Sequence, residues 1–356
     1  MIRTFVILLL SVAVIVSACQ AGNEGRDHRT PAEYATSAVQ EPGIQTQSIP
    51  GIGSATAERS QYKSFSTRES VEFDIALQLT LVNDGPGSPS KQNLWVALIS
   101  DVYPYQEVLE RDVSPGDYHL FTDEYGNQIA EFDFSDMQPG SEVEVQINYR
   151  VRVNQLENDL SNCYGEMPGF YTEPDLHIES QNPQIQQLST QLSEGKRNAC
   201  QQVRAFYDYI GNELVYSYNG GNWGAQGALG QMGADCTEYA SLMVALSRAA
   251  GIPARYVEGL SYTPEGEEAL ARLEHAWLEV YLPGTGWTPM DPTLGRSSIT
   301  REQYFAKLPA DHIIVTRGRN PSALRGGSYW TYLYWPGDST TIKIEQGEWS
   351  ITLRGE

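Results

Sequence analysis

The stretch GADCTEYASLMVALSRAAGIPARYVEGLSY, residues 233–262, decides how the second half of the chain folds. Tyr239, Leu242, Met243, Leu246 and Ala250 recur at helical spacing, so a helix is expected over Thr237–Ala250. Gly251 stands where a left-handed C-terminal cap belongs, and Pro253 prevents continuation. A strand, Ala254–Glu258, follows. Next comes HAWLEVYLPGTGWTPMDPT, residues 275–293. Across Glu274–Leu282 the residues Ala276, Leu278, Val280 and Leu282 make an aliphatic face. His275, Trp277, Glu279 and Tyr281 make a polar and aromatic face suited to lining a cleft. A turn, Pro283–Gly286, leads to a further strand, Trp287–Asp291. A helix feeding antiparallel strands is an α+β arrangement.

Three residues in these stretches carry chemistry. Cys236 opens the helix, where unsatisfied backbone N–H groups stabilise a thiolate and can receive an oxyanion. Glu238 places a negative charge in the same turn, so it must point away or be paired. His275 projects from the non-aliphatic face and is the candidate base. Asp291, at the end of the next strand, is the candidate orienter. A plain hairpin register sets Asp291 opposite Leu278, three residues from His275, so a bulge, a longer turn or strong twist is required. Taken alone, Cys236 also fits a small buried hydrophobe and His275 a structural histidine.

The order and spacing of these segments resemble the core of the transglutaminase-like superfamily, a papain-like fold with a cysteine nucleophile. The resemblance places that family's Cys–His–Asp triad on Cys236, His275 and Asp291. It implies thiolate attack on an amide carbonyl, an acyl-enzyme, and resolution by water or amine, with the Cys236 N–H in the oxyanion hole. Trp223, in the glycine-rich loop, and Trp277 are candidate oxyanion or substrate-binding residues. The strand DHIIVTRGR, residues 311–319, resembles the family's closing segment. The resemblance is weaker over residues 160–232, where helices are expected at Pro183–Leu192 and Lys196–Asn212 and a short strand at Leu214–Tyr218. No metal-ligand signature and no phosphate loop is present, and no cofactor is implied.

The first half reads differently. Every odd position from Val71 to Leu81 is apolar, and Val143 to Val153 repeats the pattern with a polar opposite face. Such alternation marks half-buried antiparallel strands. Shorter candidates around Leu94–Ile99, Glu107–Val113, Tyr118–Phe121 and Ile129–Phe134 complete a β-sandwich over residues 61–155. Support or binding is its expected role.

At the N-terminus, Arg3 precedes an apolar run too short to span a bilayer, ending in Val16-Ser17-Ala18-Cys19. Residues 1–18 read as a signal peptide and Cys19 as a lipidation site resembling that of prokaryotic lipoproteins. Residues 19–60, rich in polar residues, glycine and proline, read as a flexible tether. Of the other cysteines, a Cys163–Cys200 disulfide is expected, with Cys236 free. The 356 residues carry a formal net charge of −21, which argues against nucleic acid as a partner. The expected organisation is a β-sandwich, a transglutaminase-like α+β core over 160–325, and a C-terminal β-hairpin extension over 326–356 packed on that core. The expected function is that of an extracytoplasmic thiol enzyme, lipid-anchored to a membrane and acting on amide bonds of peptides or proteins. Hydrolysis is the first choice, with glutamine acyl transfer and an inactive scaffold as alternatives.

Overall fold

The computed structural model describes residues 65–89, 91–218, 224–230, 233–263, 273–322, 331–334 and 342–354. The expected leader, Cys19, the tether and Trp223 lie outside the described residues.

The alternating segments form the two long strands β1 (Phe65–Asn83) and β6 (Glu142–Asn158), paired antiparallel with Leu77 opposite Ile147. Their odd residues point inward because only that face can leave water. Phe73, Ile75, Leu77, Leu79 and Leu81 are buried against Val145, Ile147, Val151 and Val153. Strand β3 (Gln106–Ser114) extends this sheet beside β6. A second sheet joins β2 (Asn93–Leu98), β5 (Gln128–Asp133) and β4 (His119–Thr122). These short strands fall within a residue or two of the expected segments.

After β6 the chain crosses to two helices, α1 (Pro183–Ser193) and α2 (Ala199–Glu213), started by the Asn182 and Asn198 side chains. Cys163 and Cys200 form a disulfide that ties the crossing segment to the start of α2. The expected strand at Leu214–Tyr218 is reduced to a single parallel bridge between Tyr216 and Ala234. Only one ladder position forms before the glycine-rich segment begins.

A short helix, α3 (Gly224–Ala228), precedes α4 (Cys236–Ala249), which ends at Gly251 with φ 73°. Strands β7 (Ala254–Ser261), β8 (Glu274–Leu282) and β9 (Gly286–Met290) follow, then β10 (Lys307–Leu308) and β11 (His312–Arg317). The core sheet has the order β11-β7-β8-β9, and β10 instead joins β6 of the sandwich.

Each face of the core sheet has a different cover. Ala276, Leu278, Val280 and Leu282 pack with Leu242, Val244 and Leu246 of α4 and with Val203, Phe206 and Ile210 of α2. Val257, Trp277 and Ile313 share one continuous apolar cluster with the interior of the sandwich. Pro50–Glu356 accordingly forms one compact unit.

The alternation in β8 predicts that its polar and aromatic face lines a cleft. The structure corrects this, because the sandwich covers that face. Trp277 is fully buried, so it is no substrate-binding or oxyanion residue. Glu279 is buried too, and its carboxylate accepts from Arg255 Nε at 2.6 Å. Burial opposes its charge, but Arg255 and Arg317 outweigh this and hold it ionised below the ordinary glutamate range.

The C-terminal expectation is also corrected. Strand β12 (Thr331–Tyr334) pairs with β2, and β13 (Ile342–Leu353) pairs with β1 along most of its length. They are not the two arms of a hairpin on the core. Each completes one of the two sandwich sheets, where β1 and β2 otherwise present unpaired edges.

Candidate active site

Helix α4 begins where it does because two acids cap it. The Asp235 carboxylate accepts from Thr237 N at 3.0 Å, and the Glu238 carboxylate reaches back to Asp235 N at 3.0 Å. This is a capping box, with Asp235 at the N-cap and Cys236 as the first helical residue. It answers the question posed by Glu238: the carboxylate is folded back, fully buried, and accepts from the Thr237 hydroxyl at 2.8 Å. Burial and the neighbouring Glu238 push the Asp235 carboxyl above its ordinary range. Cys236 is the free cysteine among the described residues, half-buried at that first turn. The N–H groups of the first turn lack intrahelical acceptors.

His275 comes to this helix from β8. A three-residue turn, residues 283–285, sets Leu282 opposite Gly286 and Leu278 opposite Met290. The next residue, Asp291, is then level with Trp277, on the same sheet face as His275 and diagonal to it. A diagonal pair is within side-chain reach, so a turn one residue shorter than the expected Pro283–Gly286 supplies the shift, with no need for a longer one. His275 Nε2 and Asp291 Oδ2 are 2.7 Å apart. With Nε2 engaged by the carboxylate, Nδ1 is the ring nitrogen left to meet Cys236, whose side chain favours the charged form of the ring.

Asp291 is fully buried and held on every side. Its Oδ1 accepts from Thr293 N at 2.8 Å and Leu294 N at 2.9 Å. Its carbonyl oxygen accepts from the Tyr207 hydroxyl of α2 at 3.1 Å. A second histidine, His312 at the start of β11, reaches the same Oδ2 through Nε2 at 3.2 Å. Burial opposes ionisation of Asp291, but the two histidines outweigh it and hold the carboxyl well below the ordinary range. Burial likewise disfavours charge on His275. The Asp291 carboxylate and the Cys236 side chain prevail, and its imidazolium persists to about 9.

Among the described residues, His275, Asp291 and His312 are also a group with metal-ligand atoms close together. Two ligands of a tetrahedral ion with bonds of about 2.0–2.1 Å stand roughly 3.3 Å apart. The 2.7 Å between His275 and Asp291 is shorter and is a hydrogen-bond distance.

Sequence reasoning named Cys236, His275 and Asp291, and the structure brings these three together. It missed His312, whose one signal is an Asp-His pair opening an otherwise apolar strand.

Comparisons with known proteins bear on the domain and the fold. The model of the transglutaminase-like superfamily matches residues 186–292, from α1 to just past Asp291. The uncharacterized protein YebA of Bacillus subtilis is 29% identical over 163 residues, 41% of this chain and 21% of that protein. A protein-glutamine gamma-glutamyltransferase of Pseudomonas aeruginosa is 43% identical over 63 residues, 16% of this chain and 9% of that protein. The chain thus spans a small part of the length of these curated relatives. A crystal structure of a candidate cysteine protease from Cytophaga hutchinsonii superposes with a TM-score of 0.59 at 15% identity. That match covers 82% of this chain and 93% of the other, so the likeness in fold takes in the sandwich as well as the core. Over residues 186–292 the chain carries a transglutaminase-like domain.

Proposed function

We propose that Cys236, His275 and Asp291 are a catalytic triad that cleaves amide bonds of peptides or proteins through an acyl-enzyme. The observation that carries this reading is the buried His275–Asp291 hydrogen bond beside Cys236, whose side chain acts on the His275 ring from a helix N-terminus. The thiolate adds to the amide carbonyl carbon, forming a C–S bond and placing negative charge on oxygen beside the Cys236 N–H. Collapse breaks the C–N bond, and His275 gives its proton to the departing amine. Water then adds to the thioester while His275 accepts its proton. A second collapse releases the acid and restores the thiolate and imidazolium. Asp291 keeps the ring oriented and its charge balanced throughout.

A second reading, transfer of the acyl group to an amine, is favoured by the 63-residue likeness to a protein-glutamine gamma-glutamyltransferase. One incubation separates the two. A glutamine peptide and an amine donor, followed by mass spectrometry, gives free acid for the hydrolase and stable isopeptide for the transferase. Iodoacetamide labelling of Cys236 tests the triad itself. It is expected to be fast near neutral pH and slowed by His275→Ala. Slow labelling that ignores this substitution would leave an inert scaffold as the better description.

The protein is further proposed to act outside the cytoplasm on a lipid anchor at Cys19. The Cys163–Cys200 disulfide fits an oxidising compartment. Cys19→Ser is expected to release the protein from the membrane fraction, and retention there would refute the anchor.

A further inference from the structure

We propose that His312 is a positioning residue for the triad: a buried imidazolium held between two carboxylates, which fixes Asp291 and limits the negative charge that His275 feels. The inference rests on the reading of Cys236, His275 and Asp291 given above.

The protonation state follows from the partners. His312 is fully buried, with Nε2 facing Asp291 Oδ2 at 3.2 Å and Nδ1 facing Asp311 Oδ1 at 2.5 Å. An ionised carboxylate only accepts, so each ring nitrogen must carry a hydrogen and the ring must be a cation. Burial opposes that charge, but Asp311 and Asp291 outweigh it, and the proton is kept to about 9. Other titratable groups facing it are the His275 ring at 5.7 Å, the Tyr304 ring at 6.0 Å and, from the sandwich, the Tyr105 hydroxyl, 2.7 Å from the His312 carbonyl oxygen. The Trp277 ring, edge-on at 5.0 Å, fills the remaining side and keeps water out.

Two imidazole rings therefore share one carboxylate oxygen. Asp291 Oδ2 receives His275 on one side and His312 on the other, while two backbone amides hold Oδ1. With its acceptor sites filled, the carboxylate cannot swing. With a fixed cation behind it, Asp291 stabilises imidazolium at 275 less than a bare carboxylate would, so His275 can still surrender its proton to a leaving amine.

The sandwich holds this arrangement in place. The Tyr105 hydroxyl donates to the carbonyl oxygens of His312 at 2.7 Å and Pro309 at 2.9 Å. Two residues further along β11, the Gln106 carboxamide donates to Ile314 O at 2.9 Å and accepts from Ile314 N at 2.8 Å. The backbone that carries His312 is thus pinned by the domain expected to serve in support or binding.

The test uses the full chain and iodoacetate, an anion whose carbon the thiolate attacks with loss of iodide; the reaction is helped by the imidazolium and falls away as His275 loses its proton. His312→Gln keeps a donor but carries no charge. Removing a cation 5.7 Å away is expected to move this alkaline limb upward by about one to two pH units. Asp311→Asn, at a partly exposed carboxylate, is expected to move it the same way by a smaller amount. A downfield ring N–H proton resonance present in the native protein should be lost in His312→Gln. A fall in rate at every pH with the limb unmoved would show a merely structural role and overturn the proposal. If His312→Gln does not fold, an unmoved limb in Asp311→Asn overturns it equally. His275→Ala in the native background keeps the two questions apart, since labelling indifferent to that change defeats the triad reading on its own.

Discussion

Replacing Asp291 by asparagine isolates what the carboxylate does, because the shape is kept and Oδ1 can still accept from Thr293 and Leu294. Two things change at the other atom. The negative charge is lost, and an amide N–H₂ faces both histidine Nε2 atoms, which forces His275 to present Nδ1–H to the sulfur. The imidazolium is now kept from an ordinary 6.5 to about 9 despite full burial. At about 1.4 kcal/mol per pH unit, that margin is worth roughly 3 kcal/mol. Without the carboxylate the burial penalty is opposed by Cys236 alone, so the thiolate–imidazolium pair at neutral pH should fall by about 10²-fold. Iodoacetamide labelling at pH 7 reads this population directly. Turnover should fall further, by about 10³–10⁴-fold, because the tautomer is wrong as well. Circular dichroism and a thermal melt check that the fold survives. Labelling within threefold of the native rate would refute the view that Asp291 sets the state of His275.

Three further outcomes are expected. Stability should depend on pH through the same cluster. His275 and His312 hold protons more tightly when folded, so their contribution is complete below about 6.5 and is lost as pH rises through about 9. Asp291 is depressed, so its contribution is present above the ordinary carboxylate range and is lost in acid. Urea midpoints should therefore be highest between roughly pH 4.5 and 6.5 and decline toward pH 9, and D291N should flatten the decline; an undiminished slope in D291N would refute the assignment. Removing the disulfide with Cys163→Ser and Cys200→Ser opens a loop of 37 residues and should cost about 4 kcal/mol by chain entropy, read as a lower urea midpoint with labelling of Cys236 retained. Gly259→Ala should destabilise by about 1–3 kcal/mol or more, read as a lower melting temperature, because an added methyl would collide with the Ile313 carbonyl and the Trp277 ring.

Strand alternation and helix punctuation survived translation into three dimensions where the local pattern is itself the cause. Residues 71–81 must bury their odd side chains wherever the strand sits, and Gly251 must end α4 whatever packs around it. The grouping of Cys236, His275 and Asp291 was legible for a related reason, since the helix start at Cys236 and the β8–β9 turn between His275 and Asp291 are both marked locally. What could not be read concerns partners remote in the chain. The face bearing Trp277 and Glu279 looks like a cleft wall until a separate layer is laid over it. Strands β12 and β13 carry nothing local to say that they pair with β2 and β1, more than 200 residues earlier in the chain. His312 is similarly opaque, because its meaning depends on an aspartate 21 residues away and a tyrosine 207 away.

The position of β11 ties the sandwich to the chemistry. It is the edge strand of the core sheet, paired on one side only with β7. An edge strand has a row of unpaired amides and carbonyls and bends easily, a poor foundation for a residue that must hold a carboxylate to within fractions of an ångström. The sandwich supplies the missing side with side chains in place of a strand. Gln106 makes a two-way amide pair with Ile314, and Asn127 repeats it three residues on, donating to Arg317 O at 2.8 Å and accepting from Arg317 N at 2.9 Å. Tyr105 takes the carbonyl of His312 itself. Deleting the sandwich would therefore do two things at once: expose the apolar face containing Trp277, and free the strand behind Asp291. A truncated core that kept native labelling of Cys236 with an unshifted pH profile would contradict this coupling, whereas Gln106→Ala, which leaves the apolar cover intact, should loosen β11 alone and appear as faster hydrogen exchange along it.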